Sequence, residues 1–142
     1  KVNSLISFGN SLVYANIVSA IRATALDPTI SYLHEPGERR YSLALDLADL
    51  FKPLLTDRVL FRLVNRGQLD DEDFETELNS CLLTESGRET FTREFEKTLD
   101  RTIEHPKLNR KVSYQYLLRL EAYKLKKHVL TGEAYEPFER WW

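Results

Sequence analysis

Apolar residues recur along most of this chain at the 3.6-residue spacing of an α-helix. Between positions 4 and 26 the chain is apolar on nearly every side of such a helix. A helix of that kind is normally surrounded by other elements, so the pattern predicts a central helix. Asn3 or Ser4 is placed to cap its start. Asp27-Pro28 is expected to end it, because the residue before a proline avoids the α conformation.

Two shorter helices are predicted in the next part of the chain. A loop over 29–41 leads to a helix that begins near Ser42 and bends or restarts at Pro53. A third helix spans about 54–65. It ends at Gly67, since glycine adopts the left-handed conformation that closes many helices.

An acidic linker, an ambiguous segment and an aromatic tail mark the second half of the chain. The linker covers 68–73, and the segment 74–83 is either a short strand pair or irregular chain. The tail, 135–142, has so many aromatic side chains that it must pack on this chain or on another.

Two long helices are predicted between the ambiguous segment and the tail. Thr84 is placed to cap a helix that reaches about Ile103, and Ser113 to cap the last helix, which Gly132 follows. Nearly all of the chain is thus predicted to be helical. These patterns predict an all-α fold, a helical bundle-like single domain over 1–142.

Composition narrows the class of protein. The chain has 142 residues, of which 42% are hydrophobic and 30% charged, which suits one domain with a conventional core and is too apolar for intrinsic disorder. It has no run of about 18 uninterrupted apolar residues, so no membrane-spanning segment is expected. Cys81 is the single cysteine, which excludes disulfides within the chain and favours a reducing, cytoplasmic location. The glycine-rich motifs of nucleotide-binding loops do not occur.

Charge is unevenly distributed, although the net charge is only −2. Residues 70–100 contain eleven acidic and three basic side chains, whereas 101–127 contain eight basic and two acidic ones. This asymmetry favours an anionic partner. Two oppositely charged helices that face each other or solvent account for it as well.

The polar face of the second predicted helix holds the candidate chemistry. At 100° per residue, Asp46, Asp49 and Lys52 fall on one side, and the apolar residues fall mainly on the opposite side. Two carboxylates three residues apart repel each other, so a nearby cation is favourable. Lys52 is able to supply that cation, and so is a metal ion.

His34 lies in the preceding loop, at a distance that lets it fold back over the first turns of this helix. An imidazole combined with carboxylates makes a mixed nitrogen and oxygen site, which suits Mn²⁺ better than Mg²⁺. The alternative is an ordinary amphipathic helix with a loop histidine. Arg39-Arg40, in the same loop, is able to contact phosphate, although such a pair is most often simply exposed.

Several stretches together resemble a known family. They are NSLISFGNSL from Asn3, LDP from Leu26, LHE from Leu33, RRYSLALDLADLFKP from Arg39, DR at Asp57–Arg58, KLNRKVSYQYLLRLEAYKLKKHV from Lys107 and YEPFERWW from Tyr135. The chain resembles the C-terminal helical domain of the CRISPR-associated integrase, the endonuclease of spacer acquisition. The resemblance covers nearly the whole length of the chain.

The resemblance implies a divalent metal site for Mn²⁺ or Mg²⁺. The metal-binding histidine of the family matches His34, its acidic ligand on the helix matches Asp49, and Asp46 matches an acid beside the metal or the DNA. The remaining ligand, a glutamate upstream of the first helix, is not in this chain, and neither is the N-terminal β-rich domain. The chain is therefore expected to be the C-terminal part of a longer protein, inactive without that glutamate. Its catalytic helices and metal loop would lie in 1–67, and the acidic linker, two long helices and tail in 68–142.

The implied activity is metal-dependent cleavage and joining of double-stranded DNA, by which new spacers are inserted into a CRISPR array. The residues expected to bind backbone phosphates are Arg39, Arg40, Lys52 and Arg58. For Arg58 the alternative is an intramolecular pair with Asp57 or with a helix end. A homodimer and a small companion CRISPR adaptation protein are the implied protein partners. The competing hypothesis is a non-catalytic helical module that binds DNA or protein passively.

Overall fold

Five α-helices and two short antiparallel hairpins form the part of the chain that the computed structural model describes, namely residues 1–25, 42–78 and 80–142. In chain order the elements are α1 (Val2–Ala23), α2 (Ser42–Lys52), a π-helical turn (Pro53–Asp57), α3 (Arg58–Asn65), a 3₁₀ turn (Asp71–Asp73), β1 (Phe74–Glu77), β2 (Ser80–Leu83), α4 (Glu85–Leu99), β3 (Thr102–His105), β4 (Arg110–Ser113) and α5 (Tyr114–Thr131). Each predicted helix is present, with boundaries that differ by a few residues.

α1 occupies the centre of the fold, where it contacts α2, α3, α4, α5 and the π-helical turn. Its buried residues are Leu5, Gly9, Val13, Ile17, Ala20 and Ile21. This confirms the prediction of a central helix. The predicted cap is wrong, because the helix begins at Val2 and has no side-chain cap. Ser4 instead donates its hydroxyl to the carbonyl of Cys81 on β2, a tertiary contact that the local sequence does not indicate.

Gly9 allows two other elements to approach the middle of α1. A Cβ atom at this position would lie 2.6 Å from the Thr56 methyl carbon in the π-helical turn and 2.8 Å from the Phe91 ring in α4. Real Cβ atoms do not come so close to a neighbour, so a side chain here would force α1 away from both elements. The adjacent Phe8 ring packs edge-to-face on Phe91, with 5.4 Å between centroids.

α2, the π-helical turn and α3 form one long helix that widens at Pro53. Proline lacks the N–H that would bond the carbonyl four residues earlier, and the π-helical turn accommodates this loss. The flanking residues Lys52 and Arg58 keep right-handed helical backbone angles. The helix is followed by Gly67 with a φ of +61°, as the sequence predicts.

The hairpins correct the all-α prediction. β1 pairs with β2, from Phe74 opposite Leu83 to Glu77 opposite Ser80. The ambiguous segment is therefore a strand pair. The fold is mainly helical, but it is not purely α.

The second hairpin replaces the predicted end of the fourth helix. α4 ends at Leu99, and Ile103 on β3 pairs with Val112 on β4. Val112 is buried and Ile103 packs against the core, while Asn109 takes a left-handed conformation in the turn. Strands of four residues are too short for periodicity to separate them from a helix end, so tertiary packing decides their structure.

The last two helices start where their caps are predicted. The Thr84 hydroxyl accepts a hydrogen bond from the N–H of Gly87 at 3.3 Å, and the Ser113 hydroxyl accepts one from the N–H of Tyr116 at 3.0 Å. α5 ends at Thr131 and is capped by Gly132, whose φ is +73°. These caps depend on contacts within three residues, which is why the sequence alone predicts them.

Among the helices of the described residues, α1 alone is long and apolar enough to cross a membrane, by length and composition only. The core helix of a globular domain meets the same two criteria. α1 has that position in this fold, since Leu5, Val13 and Ile17 are all buried.

We expect Gly9→Val to destabilise the fold by about 1–3 kcal/mol, because the branched side chain would overpack against Thr56 and Phe91. Urea unfolding of the variant and the wild-type chain measures this difference. Ser7→Val, at an exposed position of the same helix, is the matched control and should shift the free energy of unfolding by about 0.5 kcal/mol or less. Equal stability of the two variants would contradict the close approach at Gly9.

Candidate functional site

α2 has one buried apolar face and one polar face. Its residues with no exposed surface are Ala44, Leu47, Ala48 and Phe51. On the polar face, Asp49 is exposed and Asp46 is half-buried. Burial of the apolar face, against α1 and other elements, fixes the rotation of α2 about its axis. The fold therefore presents Asp49 to the outside.

Asp49 and Lys52 form an ion pair on this polar face. The Lys52 Nζ donates to Asp49 Oδ1 at 2.8 Å, across one helical turn. The Asp49 side chain is 66% exposed and that of Lys52 32%, so screening by water limits what the pair adds to stability. Lys52 thus supplies a cation to the acidic face. Its ammonium group lies beside one of the two Asp49 carboxylate oxygens.

Asp46 lies closer to the protein interior than Asp49, with its Oδ2 atom buried. Its charge acts on Tyr135 in the segment that follows α5. Burial and the hydrogen bond to Glu121 raise the pKa of Tyr135, and the negative charges of Glu121 and Asp46 add to this shift. The acidic face of α2 therefore has the C-terminal segment as a neighbour.

Glu121, on α5, holds the C-terminal segment onto the fold. Its carboxylate is buried, and the residue is only 2% exposed. Its Oε1 accepts hydrogen bonds from the Tyr135 hydroxyl and, at 2.9 Å, from the backbone N–H of Phe138. The Nζ of Lys124 lies 3.1 Å from its Oε2. Three donors thus compensate a charge that is costly to bury alone.

The segment anchored by Glu121 also contacts α2. The Phe138 ring stacks on Phe51, with 4.8 Å between centroids and 25° between the ring planes. Phe51 stands between Asp49 and Lys52 in sequence, on the buried side of the helix. The aromatic tail therefore packs on this chain, and it supports the helix that carries the acidic face.

Three of the predicted site residues, His34, Arg39 and Arg40, lie outside the described residues. The metal and phosphate roles predicted for them remain predictions.

Arg58, for which an intramolecular pair with Asp57 or a helix end is the alternative to phosphate binding, is described, and it bonds to Tyr114. Its Nη1 donates to the Tyr114 hydroxyl at 2.7 Å, and its guanidinium lies 5.7 Å from the centroid of that ring. The contact joins α3 to the first residue of α5. Sequence periodicity does not predict it, because the two residues are 56 positions apart.

The described residues do not form a complete metal site by themselves. Within ranges 1–25, 42–78 and 80–142, no three or more histidine, cysteine, aspartate or glutamate side chains group so that they could hold one ion. The exposed Asp49 carboxylate is a hard oxygen donor of the kind that Mg²⁺ and Mn²⁺ bind. His34 is the sequence candidate for a further ligand. The donor chemistry fits a divalent cation, provided that Lys52 moves away from Asp49.

The two oppositely charged stretches of the sequence do not pair with each other in the described part of the chain. No ion pair there joins an acidic residue of 70–100 to a basic residue of 101–127. On α5, Lys124 pairs with Glu121 and Lys127 with Glu133. Ion pairs between the two stretches therefore do not account for the asymmetry within the described residues.

Sequence reasoning missed the anchoring role of Glu121. The available signal was its position, since Glu121 falls four residues after Leu117 and four before Leu125, both of which are buried on α5. A carboxylate in the middle of an apolar stripe has to find hydrogen-bond donors. The aromatic tail that supplies them is remote in sequence from that stripe.

The sequence matches a known protein family. A profile of the family described as CRISPR associated protein Cas1 matches residues 1–97, which include the acidic face of α2. The chain is 60% identical over 142 residues to the CRISPR-associated endonuclease Cas1 of Haloferax volcanii. This alignment covers 100% of this chain and 43% of that protein. It is 58% identical over 141 residues to CRISPR-associated protein Cas1 1 of Methanobrevibacter ruminantium. This alignment covers 99% of this chain and 44% of that protein. The chain spans less than half the length of these curated relatives.

Two solved structures share the fold. A Cas1 protein from Thermotoga maritima superposes with a TM-score of 0.83 at 45% identity, over 92% of this chain and 40% of that one. A casposase bound to integration product superposes with a TM-score of 0.84 at 25% identity, over 94% of this chain and 38% of that one. The helices and hairpins described above therefore recur as part of each of these longer chains.

Tyr135→Phe should destabilise the chain by about 1.5–3 kcal/mol at neutral pH, because the buried Glu121 carboxylate loses one donor. The raised pKa of Tyr135 means that this stabilisation is complete below the ordinary phenol value of about 10 and declines as the pH rises above it. The difference between wild type and variant in urea unfolding should therefore shrink in alkaline solution.

Tyr123→Phe is the matched control, because Tyr123 is exposed on the same helix as Glu121. It should change the stability at neutral pH by about 0.5 kcal/mol or less and leave the alkaline decline unchanged. A stability difference for Tyr135→Phe that stays constant between pH 7 and strongly alkaline solution would contradict the proposed origin of the pKa shift.

Proposed function

Because the chain belongs to the family of CRISPR associated protein Cas1, we propose that it provides the metal- and DNA-binding helices of a DNA endonuclease and integrase. This enzyme works in the cytoplasm and inserts new spacers into a CRISPR array. The chain corresponds to less than half the length of the relatives that carry the endonuclease name. The proposed activity is therefore that of a protein in which these helices are joined to the expected upstream region.

The observation that carries the proposal is the exposed Asp49–Lys52 pair on a helix whose opposite face is fully buried. A pair so exposed contributes little to stability, so it is free to exchange its partner for a ligand. The casposase of similar fold is bound to an integration product, which supports a role for this fold in joining DNA strands.

In this proposal, Asp49 and His34 bind Mn²⁺ or Mg²⁺ together with a glutamate from the upstream region. When bound, the cation stabilises negative charge on the phosphodiester that is under attack. Asp46 lies beside the site, where its negative charge also contributes to the raised pKa of Tyr135 in the C-terminal segment. The buried face of α2 holds Asp49 in a fixed orientation, so binding requires little rearrangement of the helix.

Basic residues of the same region bind the DNA backbone. Lys52 leaves Asp49 and contacts a phosphate of the substrate, and Arg39, Arg40 and Arg58 bind further phosphates. Contacts of this kind give affinity that depends on salt and hold double-stranded DNA in place without reading its bases. A homodimer and a small companion CRISPR adaptation protein, which bridges two dimers, complete the proposed assembly.

Asp49→Asn should reduce cleavage and strand joining by about 100-fold or more, because a neutral amide is a poor replacement for the metal-binding carboxylate. The measurement uses labelled DNA and a protein that extends upstream of Lys1 to the expected glutamate. Asp57→Asn, at an exposed position of the same long helix, is the control and should retain activity. Equal activity of the two variants would favour the passive interaction module.

Manganese should raise the melting temperature of the same longer protein, since a ligand that binds only the folded state stabilises it by about 2.7 kcal/mol at 100 times its Kd. His34→Ala should abolish the rise. His128→Ala, near the end of α5, should leave it intact. A manganese response in His34→Ala equal to that of the wild type would remove His34 from the metal site.

A further inference from the structure

The aromatic tail, whose residues the structure describes throughout, contains no helix or strand, so its contacts with other elements fix its position. Two anchors lie on either side of Phe138. On one side, the Tyr135 hydroxyl donates to the Glu121 carboxylate on α5. On the other side, the Nε1 of Trp141 donates to the carbonyl of Glu104 on β3 at 3.1 Å. The tail is thus tied to α5 and to the second hairpin.

Phe138 is held between these anchors by its backbone and by neighbouring rings. Its N–H donates to Glu121 Oε1 at 2.9 Å. Its ring meets the rings of Trp141 and Trp142 at centroid distances of 6.0 and 6.3 Å. These contacts involve α5 and the tail itself, and none of them involves α2. The location of Phe138 is therefore set by elements other than the helix that carries the acidic face.

Phe51 connects Phe138 to the acidic face of α2. The two rings stack with 4.8 Å between their centroids, and the Phe51 side chain is completely buried. Phe51 lies two residues after Asp49 and one before Lys52, so a shift of its backbone moves both members of the ion pair. Removal of the Phe138 ring would leave a space beside Phe51, into which this turn of α2 is able to relax.

We propose that Phe138 is a positioning residue, which holds the turn of α2 that carries Asp49 in the orientation required for metal binding. The Asp49 side chain is 66% exposed, so the helix that bears it has to be fixed from the opposite, buried face. A misplacement of about 1 Å can cost an enzyme on the order of 100-fold in rate. The role of Asp49 rests on the proposed function, whereas the contact between Phe138 and Phe51 requires no metal.

Hydrogen exchange measures this contact in the 142-residue chain, without metal. Phe138→Ala should speed amide exchange at residues 47–52 by at least about fivefold, since these amides then open more easily. Phe138→Leu, which fills most of the same space, should restore much of the protection. Phe61→Ala removes an exposed ring from α3 and is the matched control, which should leave exchange in α2 unchanged. Wild-type exchange in Phe138→Ala would overturn the proposal.

Manganese binding and kinetics separate a positioning role from a merely structural one, in the longer protein that reaches the expected glutamate. Phe138→Ala should weaken Mn²⁺ binding by about tenfold or more, as the loss of a supporting residue around a metal site does. Electron paramagnetic resonance of the free ion gives this affinity. In strand joining, kcat should fall while KM for the duplex changes by less than about twofold. A raised KM with an unchanged kcat would contradict the positioning role.

Leu83→Ala controls for lost stability, because it truncates a buried side chain on β2. It should lower the melting temperature and leave Mn²⁺ affinity and kcat unchanged when both are measured on the folded protein. Equal losses of Mn²⁺ affinity in Leu83→Ala and Phe138→Ala would reduce the effect to general destabilisation and overturn the proposal.

Trp141→Phe decides the matter with a smaller change if Phe138→Ala does not fold. It removes the donor to Glu104 and keeps an aromatic ring in the tail. Mn²⁺ affinity and kcat should fall in the same direction as in Phe138→Ala, but by a smaller factor. Wild-type values of both in Trp141→Phe would then overturn the proposal.

Failure of this inference is distinguishable from failure of the proposed function. Inactive Asp49→Asn, combined with wild-type exchange and kcat in Phe138→Ala, would overturn the positioning role and leave the proposed function intact. Active Asp49→Asn, combined with faster exchange in Phe138→Ala, would overturn the proposed function and the role of Phe138 in it, while the hold of Phe138 on α2 would stand.

Discussion

The packing of α2 against α1 is the contact on which the candidate site depends. Four residues of α2 are completely buried, and their burial leaves one rotation of the helix about its axis. Because side chains three residues apart share a face, Asp49 and Lys52 then have to point outward together. Gly9 permits the close approach of the π-helical turn that continues α2. The geometry of the acidic face is thus a consequence of hydrophobic packing and not of any attraction between the charged groups.

Two buried carboxylates, Glu121 and Glu94, are each compensated by neighbouring donors. Glu121 is compensated by the Tyr135 hydroxyl, the Phe138 N–H and the Lys124 ammonium, and this compensation fastens the C-terminal segment beside α2. Glu94 is compensated by Arg62 on α3, whose Nη1 lies 2.9 Å from its Oε1. A buried charge with its partners in place favours one arrangement of the chain, because any other arrangement would leave that charge buried and unpaired.

Much of the local structure was predictable because it depends on contacts within one or two helical turns. Apolar periodicity predicts the five helices, and Thr84 and Ser113 predict the starts of the last two. The polar face of α2 was also predictable, since a helix fixes the angle between its own residues. The cap of α1 was not, because Ser4 bonds to Cys81, which is remote in sequence. The hairpin at Ile103 was missed because four residues are too few for periodicity to distinguish a strand.

The sequence by itself determined the approximate positions of the five helices and that Asp46, Asp49 and Lys52 share one face, because these relations are set by backbone geometry over a few residues. Only the tertiary structure decided what surrounds that face. The partners of Glu121 in the C-terminal segment and the partner of Arg58 lie 14 to 56 positions away, and no local pattern encodes which distant donor meets a given acceptor. Those pairings arise when the helices pack on α1, since packing brings remote segments within hydrogen-bonding distance.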